Sequence, residues 1–573
     1  MIWTIARKEF LTSLLAYRFG VGLILCLASV TAGTLAAAQD YRSRKQAFEQ
    51  AVQQYEQQLK REGTYGRLVF ALQAFREPRR MAVFSVGSDR WQGNEVLVTH
   101  HHVPDEARWL GAANPYLAIF RCIDVTQVVA FVLGLLAFLS SHDAICGERE
   151  EGTLRMVLAN RVARDQVLLG KAAGHLGVLG VILLAGYLAA VLVVQASLHS
   201  LLSGPDLARL GVMLLVSALY VAALYFAGLY LSAATARSAT SLVLAVAAWA
   251  VAVVTFPPAV NYAVGQLTPM QAATLAAEAG KADLDQQFER ASSQLLQATA
   301  GGPGGASAQL GGTGAATGIR SIWDLFQGGS ASNENGITGY IDGRFDTHES
   351  FAQMARDWQP RIAAQVAGLR GRGQIRAAEA IGAATRGDWD TFAAREADLR
   401  EAGIPWRPPL APAELERRVA LLRRFFPQRE RLRIDFAERV FTEAWLPVER
   451  RMRSAGRWTR LLGLLSPAGA YQDVAAILAR TDRGDYWRFL DETRAYRRQL
   501  IGHYEEQGWF AAREWFNDQA GTVKLVGLPR FRQAPESLWE ALARARASLG
   551  VLAGSALAAF LAAYARFRRA DVR

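Results

Sequence analysis

The chain has 573 residues, of which 51% are hydrophobic, and a formal charge of +12. That apolar share excludes a disordered chain, and the length exceeds what one soluble domain holds. The basic surplus is mostly arginine, and the long stretch 265–544 intersperses acids among its arginines, which argues against a nucleic-acid partner.

Residues 1–18 carry Trp3, Ala6, Phe10 and Leu14 as an apolar stripe at helical spacing, the pattern of a helix lying in a membrane interface. An apolar run over 20–38 follows, long enough to cross a bilayer core of about 20 residues. Ala36, Ala37 and Ala38 before Gln39 also fit a cleavage pattern, but a leader that long and containing Glu9 is the weaker reading. Further apolar runs at 125–141, 172–196, 208–233, 240–262 and 546–565 bring the expected spans to six.

Positive charge in the short flanks orients these spans. Arg7, Lys8 and Arg18 precede the first, Arg149 to Lys171 separate the second and third, Arg237 separates the fourth and fifth, and Arg566, Arg568, Arg569 and Arg573 follow the sixth. All four clusters fall on one side, so both termini are expected in the cytoplasm, with 39–124 and 263–545 outside.

In the first outer segment, 40–62 reads as a polar helix, and Met81–Val98 reads as a small hairpin around Gly87 and Gly93. His100, His101 and His102 are adjacent, and on a strand their faces alternate, so no metal site is assigned and surface polarity is expected of them. Asp124 stands at the outer edge of the second span, where an ionisable group marks a candidate pathway residue or a helix cap. Pro257 and Pro258, near the outer end of the fifth span, are expected to break or kink it, as a hinge or a span terminus.

The segment 263–545 reads as a large, mostly helical outer domain interrupted by a Gly/Ala/Ser linker at 301–318. Its Arg-rich amphipathic stretches, such as Arg431–Arg451 and Tyr486–Tyr504, read as bundle helices with solvated charged faces. The cysteines Cys26, Cys122 and Cys146 suggest no disulfide framework.

The most informative stretch is the polar segment 142–171 between two apolar runs. It holds Glu148, Arg149, Glu150, Glu151, Gly152, Thr153 and Leu154, then a short helical pattern with Val157 and Leu158, then Arg161, Arg164 and Lys171. This is what a membrane protein presents to a soluble partner, with charges orienting the contact and Leu154, Val157 and Leu158 supplying buried area. A phosphate-cradling glycine loop is absent: Gly170-Lys171 is followed by Ala172, so this chain does not hold ATP by that route. Zinc-protease histidine pairs and a Gly-x-Ser-x-Gly elbow are also missing, leaving no catalytic residues to assign.

The N-terminal helix, the six spans and the run from Glu148 to Lys171 together resemble the permease subunit of a type-2 ABC transporter. Asn114-Pro115, Asp124, the run Leu465-Ser466-Pro467-Ala468 and Tyr496-Arg497 resemble the branch of multicopper-enzyme maturation and gliding-type permeases. The resemblance implies a multi-pass protein of a bacterial inner membrane whose 142–171 loop contacts a separate cytoplasmic ATPase. It further implies that ATP and Mg are held on that ATPase, with no cofactor on this chain, that export is the direction, and that a second permease, identical or sibling, completes the pair. A periplasmic partner for the outer domain fits the same scheme. The rival readings are a membrane-anchored scaffold for an extracytoplasmic enzyme and an ion-coupled carrier, the latter disfavoured by the scarcity of ionisable residues in spans three to six.

Overall fold

The computed structural model describes residues 2–61, 72–109, 124–159, 163–198, 202–299, 359–386, 388–402, 412–512, 515 and 527–569. Cys122, Asn114-Pro115, Arg161 and the 301–318 linker lie outside them.

Six helices are long and apolar enough to cross a membrane: Tyr17–Leu59, Val125–Glu150, Arg164–Leu198, Gly204–Ala234, Ser238–Leu267 and Leu538–Arg569. They contain the six expected runs and extend them, because a helix does not stop where its side chains become polar. Tyr17–Arg61 is unbroken, so the expected polar helix at 40–62 is the continuation of the first span. The fourth span opens on a capping box in which Ser203 and Asp206 satisfy each other's backbone N–H groups, with Pro205 in the first turn. It is the central element, packed along the second and sixth spans. Cys26 and Cys146 are buried free thiols, Cys26 within this core.

A helix that the sequence pattern placed outside lies inside the bundle. Pro467–Ala479 packs against the fourth and sixth spans, and Tyr471, Val474 and Leu478 are buried in the same core as the spans. Tyr471 stacks on Tyr220, midway along the fourth span, with ring centroids 4.6 Å apart and planes 13° apart. The Tyr471 hydroxyl meets Ser217 Oγ at 2.9 Å, which meets the Tyr187 hydroxyl at 2.8 Å. Arg209, buried near the start of the same span, donates to the Leu478 and Glu536 carbonyls at 2.9 and 2.6 Å. Thirteen residues of the stretch 263–545, expected outside, thus form a helix packed among the helices that read as spans. Its backbone is satisfied by its own helical bonds and its polar ends by partners from the spans, as burial among apolar helices requires.

Two spans carry π-helical segments, Val129–Leu133 and Ala250–Thr255, and both touch this inserted helix or the helices around it. A π turn misaligns a carbonyl from the ladder. Ala130 O accepts from the Tyr220 hydroxyl at 3.0 Å and Ala252 O from Ser466 Oγ at 2.6 Å. The second segment also answers for Pro257 and Pro258. Lacking N–H groups, they cannot bond the carbonyls one turn back, yet the helix widens into a π turn and runs on to Leu267 instead of ending. The prolines are not a span terminus.

The two outer segments share one core. Leu72, Val96 and Val98 pack with Phe425, Phe426, Phe489, Tyr504 and Trp509. The expected hairpin at Met81–Val98 is also corrected: Met81–Val83 lies in a 3-10 turn, and β2 (Glu95–Leu97) pairs with β1 (Gln73–Phe75), antiparallel, with Ala74 opposite Val96. The partner strand was missed because it is only three residues long. Buried charge ties this domain together. The Asp485 carboxyl is ringed by Arg76, Arg79, Arg480 and Arg488, and these arginines hold it down to about 2 against the cost of burial.

His100 is buried rather than on the surface. Its Nε2 lies 2.6 Å from Glu430, which Arg429 also meets at 2.8 Å, while Arg497 donates to the carbonyls of Thr99 and His100. The carboxyl of Glu430 pays a desolvation penalty, but the His100 bond and nearby arginines outweigh it and hold it down to about 2. Since the folded value lies below the ordinary 4.5, the stabilisation is present above that pH and is lost as pH falls toward 2. Glu430→Gln is expected to lower the thermal midpoint at pH 7 by an amount on the order of 3 kcal/mol and to flatten the acid limb between these values. Thermal unfolding of both forms across that range checks it; parallel acid limbs would refute the assignment.

Candidate functional site

The polar segment that separates the second and third spans is where each element of the bundle meets. After His142–Ile145 turns the chain, a five-residue helix, Cys146–Glu150, leads into a left-handed Gly152 and the helix Thr153–Ala159. Gly152 has φ +75°, a conformation that other residues reach at a cost of roughly 1–2 kcal/mol, so the glycine sets the angle between the two short helices.

Bonds run from this segment to the first, fourth, fifth and sixth spans, and the chain itself continues it into the second and third. Asp143 meets Arg18 of the first at 2.9 Å. The backbone N–H groups of Ile145 and Cys146 donate to Ser232 Oγ of the fourth at 3.0 and 3.1 Å, and Arg149 reaches the Thr235 carbonyl beyond it. Glu150 accepts from the backbone N–H and hydroxyl of Ser238, the first residue of the fifth, at 3.0 and 2.7 Å. Arg164, entering the third, donates to the carbonyls of Phe567 and Arg568 at the end of the sixth.

Lys171 stands at the centre. Its buried ammonium lies 2.6 Å from Glu148 and 3.2 Å from Glu9. Glu9 comes from the N-terminal helix Ile2–Leu15, which lies along the third span because Gly170 and Gly174 offer no side chain there. A Cβ at Gly170 would stand 2.7 Å from Ile5, and one at Gly174 2.6 Å from Glu9 Cβ. The inward face of this helix is therefore Ile5, Ala6 and Glu9, while Trp3 is 80% exposed. The expected stripe was rotated by the glycine contact.

The expected apolar contact surface also needs correcting. Leu154 is buried in the chain's own core and Val157 packs against it, so both anchor the short helix inward. The side chain of Leu158 lies outside the described set. What the loop turns outward is Glu151, Arg155 and Met156, the last 71% exposed. Thr153 donates back to the Glu148 carbonyl at 3.3 Å and steadies the bend. Glu9 and Ser232 were missed in the sequence: one entered only as a charge that speaks against a cleaved leader, and the other lies unmarked in an apolar run.

At the opposite end of the bundle a cleft of about 1520 Å³ opens between the second and fifth spans and the helix Leu446–Gly463. Asp124 lines it, as expected of a pathway residue, but its carboxylate is occupied as a helix cap, accepting from the backbone of Gln127 at 2.7 Å and Val86 at 2.8 Å. Pro257 lines it too, with Val260 and Asn261, whereas Pro258 does not. No group of His, Cys, Asp or Glu suited to a metal ion occurs among the described residues.

Comparison with known proteins agrees with this architecture. A family model described as ABC-2 family transporter protein matches residues 3–295, and a domain of unknown function matches 424–534. Over 91 residues the chain is 38% identical to a probable ABC transporter permease protein NosY of Stutzerimonas stutzeri, covering 15% of this chain and 33% of that one. Over 93 residues it is 37% identical to a protein of the same name from Pseudomonas aeruginosa, covering 15% and 34%. The chain thus spans about a third of the length of these curated relatives.

Proposed function

This chain belongs to the ABC-2 family of transporter proteins, and on that premise we propose that it is the membrane-spanning permease subunit of an ATP-driven exporter, working with an ATPase on a separate chain. One observation carries the reading. The segment Asp143–Lys171 is bonded to the first, fourth, fifth and sixth spans and runs on by its own chain into the second and third, so a force applied to it from outside the bundle reaches each of them. ATP and Mg would bind the ATPase, whose closure would push on Glu151, Arg155 and Met156, and the push would pass through Glu148 and Glu150 into the third and fifth spans.

In this reading the loop and both termini face the cytoplasm of a bacterial inner membrane, following the clusters of positive charge. The cleft then opens on the outer side. A second permease, identical or sibling, would complete the transport path, and the outer domain is free to meet a periplasmic partner. The scaffold alternative uses the spans only as an anchor, and an anchor has no need of a helix inserted among them at Pro467–Ala479.

Glu151→Lys with Gly152→Val is the direct test. Glu151 is exposed and no Cβ would meet an obstacle at Gly152, so the pair disturbs the loop's outward face and bend without touching the core. We expect the variant to insert in the membrane in normal amount and to lose at least tenfold in the ATPase activity that co-purifies with it. Undiminished ATPase in the variant, or an eluate whose stoichiometric partner is an extracytoplasmic enzyme instead, would set the permease reading aside.

A further inference from the structure

The cleft at the end opposite the coupling loop carries an imbalance of charge. Eight arginines and five carboxylates line it. Most of the lining acids are occupied from within: Asp473 by Arg460, Asp482 by Arg544, Asp491 by Arg453, and Asp124 by backbone N–H groups. Arg488 is taken up by Asp485 and Glu536. Four arginines, Arg450, Arg451, Arg457 and Arg483, are left without an acidic partner among the described residues, and all four are exposed.

Their placement is specific. Arg450 and Arg457 are seven residues apart on the helix Leu446–Gly463 and so share a face. Arg483, on the opposite wall, reaches across to that helix at its one small position there: its Nη1 lies 3.6 Å from where a Cβ of Gly456 would stand. The Arg483 guanidinium thus stands against the helix that carries Arg450, Arg451 and Arg457, next to the position before Arg457. Unpaired arginines that line one cleft give it a positive potential, and an anion there can use their forked donors, a geometry suited to phosphate oxygens. Below this rim the cleft becomes partly apolar along Pro257 and Val260.

We propose that this cleft binds a phosphate-bearing anion, gripped between Arg457 and Arg483 with Arg450 and Arg451 drawing it in. The chemistry is common to a phospholipid headgroup of the outer leaflet and to a soluble phosphate ester. Binding requires neither nucleotide nor the ATPase, so the proposal stands or falls apart from the permease reading.

The test uses the full-length chain in two arms. In detergent, glycerol phosphate is titrated calorimetrically. In nanodiscs of phosphatidylcholine with a minor share of phosphatidylglycerol, retained lipid is measured by native mass spectrometry. Arg457→Gln with Arg483→Gln is compared with the wild type and with Arg530→Gln, which removes an exposed arginine that does not line the cleft. The expected result is a loss of about tenfold in affinity or retention for the double variant in at least one arm, and no change for Arg530→Gln. Loss confined to phosphatidylglycerol identifies the lipid headgroup as the source, and loss confined to glycerol phosphate identifies a soluble ester. Arg457→Lys with Arg483→Lys, which keeps the charge and removes the fork, should fall between, and it serves if the Gln pair misfolds. A wild type that binds neither probe, or arginine variants that bind both as the wild type does, would overturn the proposal.

Discussion

Lys171→Met is expected to lower the thermal midpoint of the detergent-purified chain by the equivalent of roughly 3 kcal/mol, the low end of the cost of breaking a buried ion pair. The ammonium is buried between two carboxylates on different elements, Glu148 before the loop's bend and Glu9 on the N-terminal helix. Removing it leaves Glu148 uncompensated, with one of its oxygens already buried and without a hydrogen-bond partner, while Glu9 keeps only longer contacts to Lys8 at 3.8 Å and His175 at 4.0 Å. The figure sits at the low end because the Glu148 side chain retains 18% exposure. Adding Glu9→Gln and Glu148→Gln should restore much of the midpoint, since an uncharged trio carries no desolvated charge. The same triple variant should still fail to stimulate a partner ATPase, because a neutral contact no longer links the loop to the third span. A Lys171→Met midpoint equal to that of the wild type would show that the network holds nothing together.

Tyr471→Ala is expected to cost about 3–5 kcal/mol, because it empties an aromatic site in the packed interior of the bundle. Tyr471→Phe should cost only about 1 kcal/mol, the worth of the hydrogen bond to Ser217. The packing of this helix on the fourth span is tested by combining Tyr471→Ala with Tyr220→Ala. Stacked rings interact by roughly 0.5–1.5 kcal/mol beyond their burial, so the double variant should be less destabilised than the sum of the singles. Strict additivity would mean that the helix Pro467–Ala479 does not lie against the fourth span.

The elements that were legible in the sequence are those whose signal is one-dimensional. An apolar run of about 20 residues has few other fates, so all six spans could be read from hydropathy. What misled was depth and direction. Pro467–Ala479 is thirteen residues long, too short to read as a span, and its placement depends on Tyr220, Ser217 and Arg209, which come from a segment more than 200 positions earlier. Likewise Arg494 and Arg497 read as solvated helix-face charges, yet they are buried against Glu449 and the His100 carbonyl because the two outer segments fold onto one core.

The coupling site divides in the same way. Composition, the flanking charges and the run from Glu148 to Lys171 determined by themselves that this is a multi-span helical protein with a charged segment between its second and third spans. Only the tertiary structure decided which of those charges face inward. Glu148 and Lys171 turn into the bundle, Glu150 stays exposed while it holds Ser238, and Glu151 and Met156 are turned out. The physical reason is that a charge enters a protein interior only with a partner. Glu9, Ser238 and the helix ends that supply those partners are brought there by packing, through the bare face of Gly170 and Gly174 and the antiparallel return of the spans.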